Sequence, residues 1–220
     1  MSDTPDPIID PPAEGSITVS GTGSVSVSPD VADLRLGVAI ARPTVDAARA
    51  QASTTMEAIL AAILGAGAAR PDVRTAMLSL QPRYDYRDGT APTLTGYELS
   101  NVVEVTIRDL ERVGDVVDGT LKAGATSMDS LSFRVADPAP AEREARVAAM
   151  AVARLRAEVL AAAAGLTIIG VRDIVEGAAA LPADPRFKSE RMLMATDAPT
   201  PVEPGTTEIR VTVTVAYRTR

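Results

Sequence analysis

Between Gly96 and Pro138 the chain changes its hydrophobic period twice. Val103, Val105 and Ile107 alternate with Glu104, Thr106 and Arg108, the two-residue period of a strand with one buried face. Asp109 stands where a helix cap belongs, able to accept from the first free backbone N–H groups. Leu110, Val113, Val117 and Leu121 come next at three- and four-residue spacing, which predicts a helix with one apolar stripe. Gly124 offers the left-handed conformation that ends it. Leu131, Phe133 and Val135 then alternate again up to Asp137-Pro138.

The same grammar runs upstream. Ile17, Val19, Gly21, Gly23, Val25 and Val27 alternate with Thr and Ser to give a first strand. Pro29-Asp30 closes it, and Pro29 fixes φ at the corner. Val31, Leu34, Leu36, Val38 and Ile40 make a second strand. Thr44 caps a helix whose stripe is Val45, Ala48, Ala52, Met56, Ile59 and Ile63; Gly65, Gly67 and Pro71 end it. A third strand passes through Met77, Leu78 and Leu80 to Tyr84 and Tyr86, turns at residues 87–93, and returns as a fourth from Leu94 to Arg108. Residues 30–137 therefore read β-α-β-β-α-β, the order of a ferredoxin-like plait.

Pro140 to Gly165 carries the longest helix signal. Ala145, Ala148, Val152, Leu155, Val159 and Ala162 are expected on its buried face, with Glu142–Arg146 and Arg154–Glu158 paired outside. Beyond it the chain gives a strand over 168–176, a long proline-rich loop at about 178–205 and a strictly alternating last strand over 207–218. The fold class predicted is α+β. The plait is joined by a smaller α+β unit, formed by the long third helix, the first strand and the last two strands (16–29 with 138–220). Residues 1–15, acidic and Pro-rich, read as a disordered arm.

Composition narrows the function. The chain has 220 residues, a formal charge of -7 and only six aromatic side chains. That balance disfavours a nucleic-acid backbone and gives no platform for stacked bases. No Cys and no His are present. The commonest metal ligand, the commonest general base and the thiolate nucleophile are all missing. No apolar run reaches the ~18 residues of a membrane span. No secretory leader is recognisable in the first residues, so the chain as written is expected in the cytoplasm; a native leader ahead of it would put it in the periplasm or envelope.

Several groups invite chemistry and have a plainer reading. Gly21-Thr22-Gly23 lacks the third glycine and the adjoining helix of a dinucleotide loop, and glycines within a strand mark a bulge or the close approach of another backbone. Asp85, Asp88 and Glu98 lie near a polar hairpin tip, without the desolvated cleft that a catalytic acid needs. Asp115, Asp118 and Lys122 read as an exposed helix face, with Asp118 and Lys122 four apart. No cofactor, metal or catalytic residue is expected. Tyr84 and Tyr86 with Tyr97 are the candidate protein-contact surface, or else they cover their own domain. Met192 and Met194 either dock on a neighbouring subunit or tuck under their own loop.

GTGSVSVSPDVADLRLGV, DVRTAMLSLQPRYDY, the Gly96–Pro138 stretch and PVEPGTTEIRVTVTVAYR together resemble the SIMPL-domain family. The shared pattern is Gly-x-Gly-x-Val, Pro-Asp at 29–30, Gly96-Tyr97, G-x-V-V-D and K-A-G-A ending at 125. The resemblance implies an α+β fold, self-assembly and a non-enzymatic role tied to oxidative-stress defence, envelope integrity or immunogenicity. It brings no agreed catalytic residues. Val152-Ala153 stands where many relatives carry Asp-Ala. A homo-oligomer working through subunit or partner contacts is the first expectation; a small-ligand site between the two α+β units is the second.

Overall fold

The computed structural model describes residues 15–86, 91–177 and 200–220. These form two compact units, one from residues 28–136 and 200–206, the other from 15–27, 137–177 and 207–220. Each has an antiparallel sheet, so the fold is α+β. Among the described residues no helix is long and apolar enough to cross a membrane.

The first unit holds β2 (Val31–Arg42), α1 (Val45–Gly65), β3 (Val73–Asp85), β4 (Thr93–Ile107), α2 (Val113–Lys122) and β5 (Ser127–Arg134). Its strand order is β3-β4-β2-β5, with β3 and β5 at the edges, the arrangement of a ferredoxin-like plait. Ala32, Leu34, Leu36 and Val38 of β2 face the helices beside Val103, Val105 and Ile107 of β4, all at most 3% exposed. From α1, Ala48, Ala52, Met56, Ile59 and Ile63 close this core, while Val45 stays outside it. Thr44 Oγ1 accepts from Ala47 N at 3.3 Å and caps the helix.

The helix after β4 departs from the expected stripe. Asp109 accepts from Glu111 N, but the turn it caps, Leu110–Arg112, is a 3-10 turn. The α-helix begins only at Val113, and Val113, Val116, Val117 and Thr120 face inward. Leu121, expected in the core, is 50% exposed. Val113 and Val117 keep the expected stripe and Leu110 packs partly on the core, but after the tighter first turn Val116 and Thr120, not Leu121, complete the inward face. Gly124 stands just past the helix at φ +101°.

The second unit is β1 (Gly15–Val27), α3 (Ala139–Ala163), β6 (Ile168–Glu176) and β7 (Thr207–Thr219), with strand order β1-β7-β6. Val211, Val213, Val215 and Tyr217 alternate into its core. The helix again corrects the expectation. Ala145, Ala149, Ala153 and Ala157 are fully buried, whereas Leu155 and Val159 are more than 60% exposed. Opposite the alanines, β1 carries Gly21 and Gly23. A Cβ on Gly21 would overlap the Ala149 carbonyl oxygen, and one on Gly23 the Ala145 carbonyl oxygen. Backbone lies on backbone there, and only small side chains allow that approach. The bulkier Leu and Val are turned outward.

Of the arm predicted at 1–15 only Gly15 is described, and it opens β1. The proline-rich stretch is described from Thr200. Thr200 donates to Asp118 through its N–H (3.3 Å) and hydroxyl (2.7 Å), and Val202 packs on the plait core. Asp118 thus holds Thr200 rather than Lys122.

Candidate interaction surface

The long β3/β4 hairpin arises from two alternating segments around a polar tip. α1 packs over β2 and β4 and leaves β3 largely uncovered. Leu80 lies across from Leu99, which lies across from the core residue Ile40, so Leu80 points to the helix side. Leu80 is nonetheless 44% exposed. Leu78 is 66% exposed; Leu80, Tyr84 and, across the hairpin, Leu94 are also exposed. Two register shifts, at Thr75/Met77 and Arg83/Tyr84, twist this edge.

Tyr84 and Tyr86 are brought together, their ring centroids 6.3 Å apart and tilted by 58°, a favourable aromatic arrangement. Tyr86 is the more exposed of the two. Tyr97 lies on β4 between Arg42 and Pro82, half-buried. Gly96, beside it, passes close to the Arg42 carbonyl. Arg83 and Glu98 stand 4.0 Å apart at the rim. Met192, Met194 and Asp88 lie outside the described residues. Leu78, Leu80 and Leu94 belong to this apolar strip yet escape a sequence reading, because alternating leucines in a strand look like core. Only the position of β3 at the sheet edge turns them outward.

The other face of the same sheet is a charged lattice. Asp33 accepts from Arg134 at 2.6 Å and from Thr106 at 2.8 Å. Arg74 pairs with Glu104 at 2.6 Å and Arg108 with Asp72 at 2.8 Å. Burial works against the charge on Asp33, but the bonds from Arg134 and Thr106 and the nearby guanidinium charges outweigh it and hold the carboxyl below its ordinary value. Asp72 is lowered by its bond to Arg108. These carboxylates are held ionised, the opposite of what a general acid requires. Arg108 and Asp72 also border a cavity of about 140 Å³ at the end of α1, where Arg112 donates to the Ala66 carbonyl. Among the described residues no group of three acids, His or Cys is placed to hold a metal ion.

The remaining motif residues build corners. Pro29 is buried at the turn into β2; Asp30 accepts from Ala136 N at 2.7 Å and donates its own N–H to the Arg134 carbonyl. Gly21 and Gly23 admit the α3 backbone, and Gly124 ends α2.

Over 145 residues the chain is 37% identical to "Uncharacterized protein YggE" of Escherichia coli (strain K12), covering 66% of this chain and 58% of that protein. It therefore spans less than two thirds of that relative's length. A further YggE, from Edwardsiella ictaluri, is 30% identical over 152 residues, 69% of this chain and 64% of the relative. The "26 kDa periplasmic immunogenic protein" of Brucella melitensis is 31% identical over 208 residues, 91% of this chain and 83% of that one. Residues 17–217 match the family model described as "SIMPL: Protein of unknown function (DUF541)". On that match, which takes in both sheets and all three described helices, the chain belongs to the SIMPL family.

Proposed function

We propose that this chain is a self-assembling structural or interaction protein and not an enzyme, serving envelope integrity or stress defence. One observation carries this. β3 is a 13-residue edge strand with Leu78, Leu80 and Tyr84 exposed along it. An edge of that length offers unpaired backbone groups and apolar side chains together, and such edges pair unless protected. Pro82 interrupts the row of donors but does not cover the leucines. Pairing with the same edge of a second copy satisfies both the backbone and the apolar strip, and Tyr84 and Tyr86 extend the contact at the hairpin end. The Brucella relative, a periplasmic immunogenic protein by name, supports a periplasmic setting.

Light scattering after gel filtration tests the reading. A defined oligomer is expected, shifting toward smaller species when Leu78 and Leu80 are both replaced by Lys. A strictly monomeric chain at micromolar concentration would overturn it.

A further inference from the structure

β1 is an edge strand with a helix directly above it. A Cβ on Gly21 or Gly23 would overlap carbonyl oxygens of α3, so that helix lies on β1 itself. One flank of α3 looks in over the sheet, where Arg154 lies 5.8 Å from the Tyr217 ring centroid. The other flank overhangs the free edge. There Leu155, Val159 and Leu160 line an open groove of about 430 Å³ with Val19 and Ser20 of β1. Arg156 reaches down from the same flank and donates to the Ser20 carbonyl at 2.6 Å.

The backbone groups on this edge follow a strict order. Gly177 donates to the Thr212 carbonyl and Thr167 to that of Arg220, so even-numbered residues of β7 turn toward β6 and odd-numbered ones toward β1. Thr212 and Thr214 stand opposite Thr22 and Ser20, whose N–H and C=O groups therefore point away from β7. Thr18, Ser20 and Thr22 thus offer a row of backbone donors and acceptors to one more strand. That strand must carry no helix of its own on this face. Two-fold pairing of β1 with β1 of a second copy would bring the two α3 helices to about one strand spacing, ~4.8 Å, whereas packed helices stay about 8–10 Å apart.

Residues 1–14 lead directly into this edge and lie outside the described residues. Their sequence, MSDTPDPIIDPPAE, has the period that the groove asks for. Pro5, Pro7, Ile9 and Pro11 alternate with Thr4, Asp6, Ile8 and Asp10. Every residue of the second set has an N–H to donate; the prolines have none. Proline holds the residue before it extended, and a strand tolerates it where its nitrogen faces away from the ladder. We propose that residues 4–10 add to β1 as a fourth, antiparallel strand seated in the groove beside α3. Asp10, Ile8, Asp6 and Thr4 pair with Ser16, Thr18, Ser20 and Thr22, and residues 11–15 close the hairpin, a loop of ordinary length. Shortening that loop by two residues would put Pro12 in a donor position. Opposed residues share a face, so Pro5, Pro7 and Ile9 turn toward α3, with Pro7 beside Val19. A carbonyl has two lone pairs, so Ser20 accepts from Asp6 N–H while keeping Arg156.

The chain has no cysteine, so a pair of introduced thiols reports one contact. In the full chain, Ile8→Cys with Thr18→Cys is expected to oxidise to an intrachain disulfide, because the Cα atoms of a hydrogen-bonded pair lie about 5.5 Å apart. Ile8→Cys with Thr22→Cys, about 13 Å further along β1, is expected to keep both thiols. Hydrogen exchange of the cysteine-free chain gives a second readout. The amides of Thr18, Ser20 and Thr22 are expected to exchange slowly and to lose about tenfold or more of their protection in Ile9→Asp, while those of Val213 and Val215 keep theirs. Equal oxidation of the two thiol pairs, no oxidation of the first pair, or a disulfide between chains overturns the pairing. Edge amides that exchange freely in the wild type mean an empty groove and overturn it as well. Edge amides protected equally in Ile9→Asp mean that another segment or another protein covers β1, and that too overturns it. The β3 edge belongs to the other unit, so none of these outcomes bears on self-assembly through it.

Discussion

A methyl group at Gly23 would overlap the Ala145 carbonyl oxygen, and the atoms it meets are helix backbone that cannot rotate away. Overpacking at such a contact costs about 1–3 kcal/mol. Gly23→Ala is therefore expected to lower the stability measured by urea unfolding by that amount, and an unchanged midpoint would remove the close-approach account of β1. Asp33 makes a second prediction at this scale. Its carboxyl lies below the ordinary value of 3.8 in the folded chain, so ionisation favours the fold. That contribution is present above the unfolded value and is lost as the pH falls through the folded one. Asp33→Asn is expected to be less stable than wild type at pH 7, and the gap should shrink as the solution is acidified through the unfolded value. A gap constant over that range would show that the charge is not responsible.

Elements are decided by register as much as by composition. In α2, Val116 is 1% exposed and Leu121 50%. Val116→Ala is expected to cost about 2 kcal/mol in chemical unfolding, and Leu121→Ala less than about 0.5 kcal/mol. Equal costs would mean that Leu121 contributes to the core as Val116 does. The same logic governs α3, where alanine propensity makes the helix and alanine size lets one face meet a strand that carries two glycines. Hydrophobicity alone ranks Leu155 and Val159 as core; contact distance ranks Ala149 and Ala153 there instead.

At the scale of the whole molecule, β2 to β5 are contiguous in sequence and enclose a core of their own. Residues 28–136 expressed alone are expected to unfold in one cooperative transition. They should be less stable than in the full chain by about 1–2 kcal/mol, since partial burial of Val202 and the Asp118–Thr200 bonds are lost. A fragment without a cooperative transition would show that the plait depends on the rest of the chain.

Alternation and helical spacing in the sequence were enough to determine the order of strands and helices, the caps at Thr44 and Asp109, and the α+β class, because those depend on neighbours a few residues apart. The sequence also carried the family pattern. Which face of α3 is buried, and which leucines of β3 are left in the open, depended on what lies across from them: a glycine-bearing strand in one unit and, in the other, an edge position with no further strand beside it among the described residues. Those relations join distant parts of the chain, Gly21 with Ala149, and β3 with an edge that is fixed by β4 pairing to β2. No local period records such distances, so only the tertiary structure could decide them.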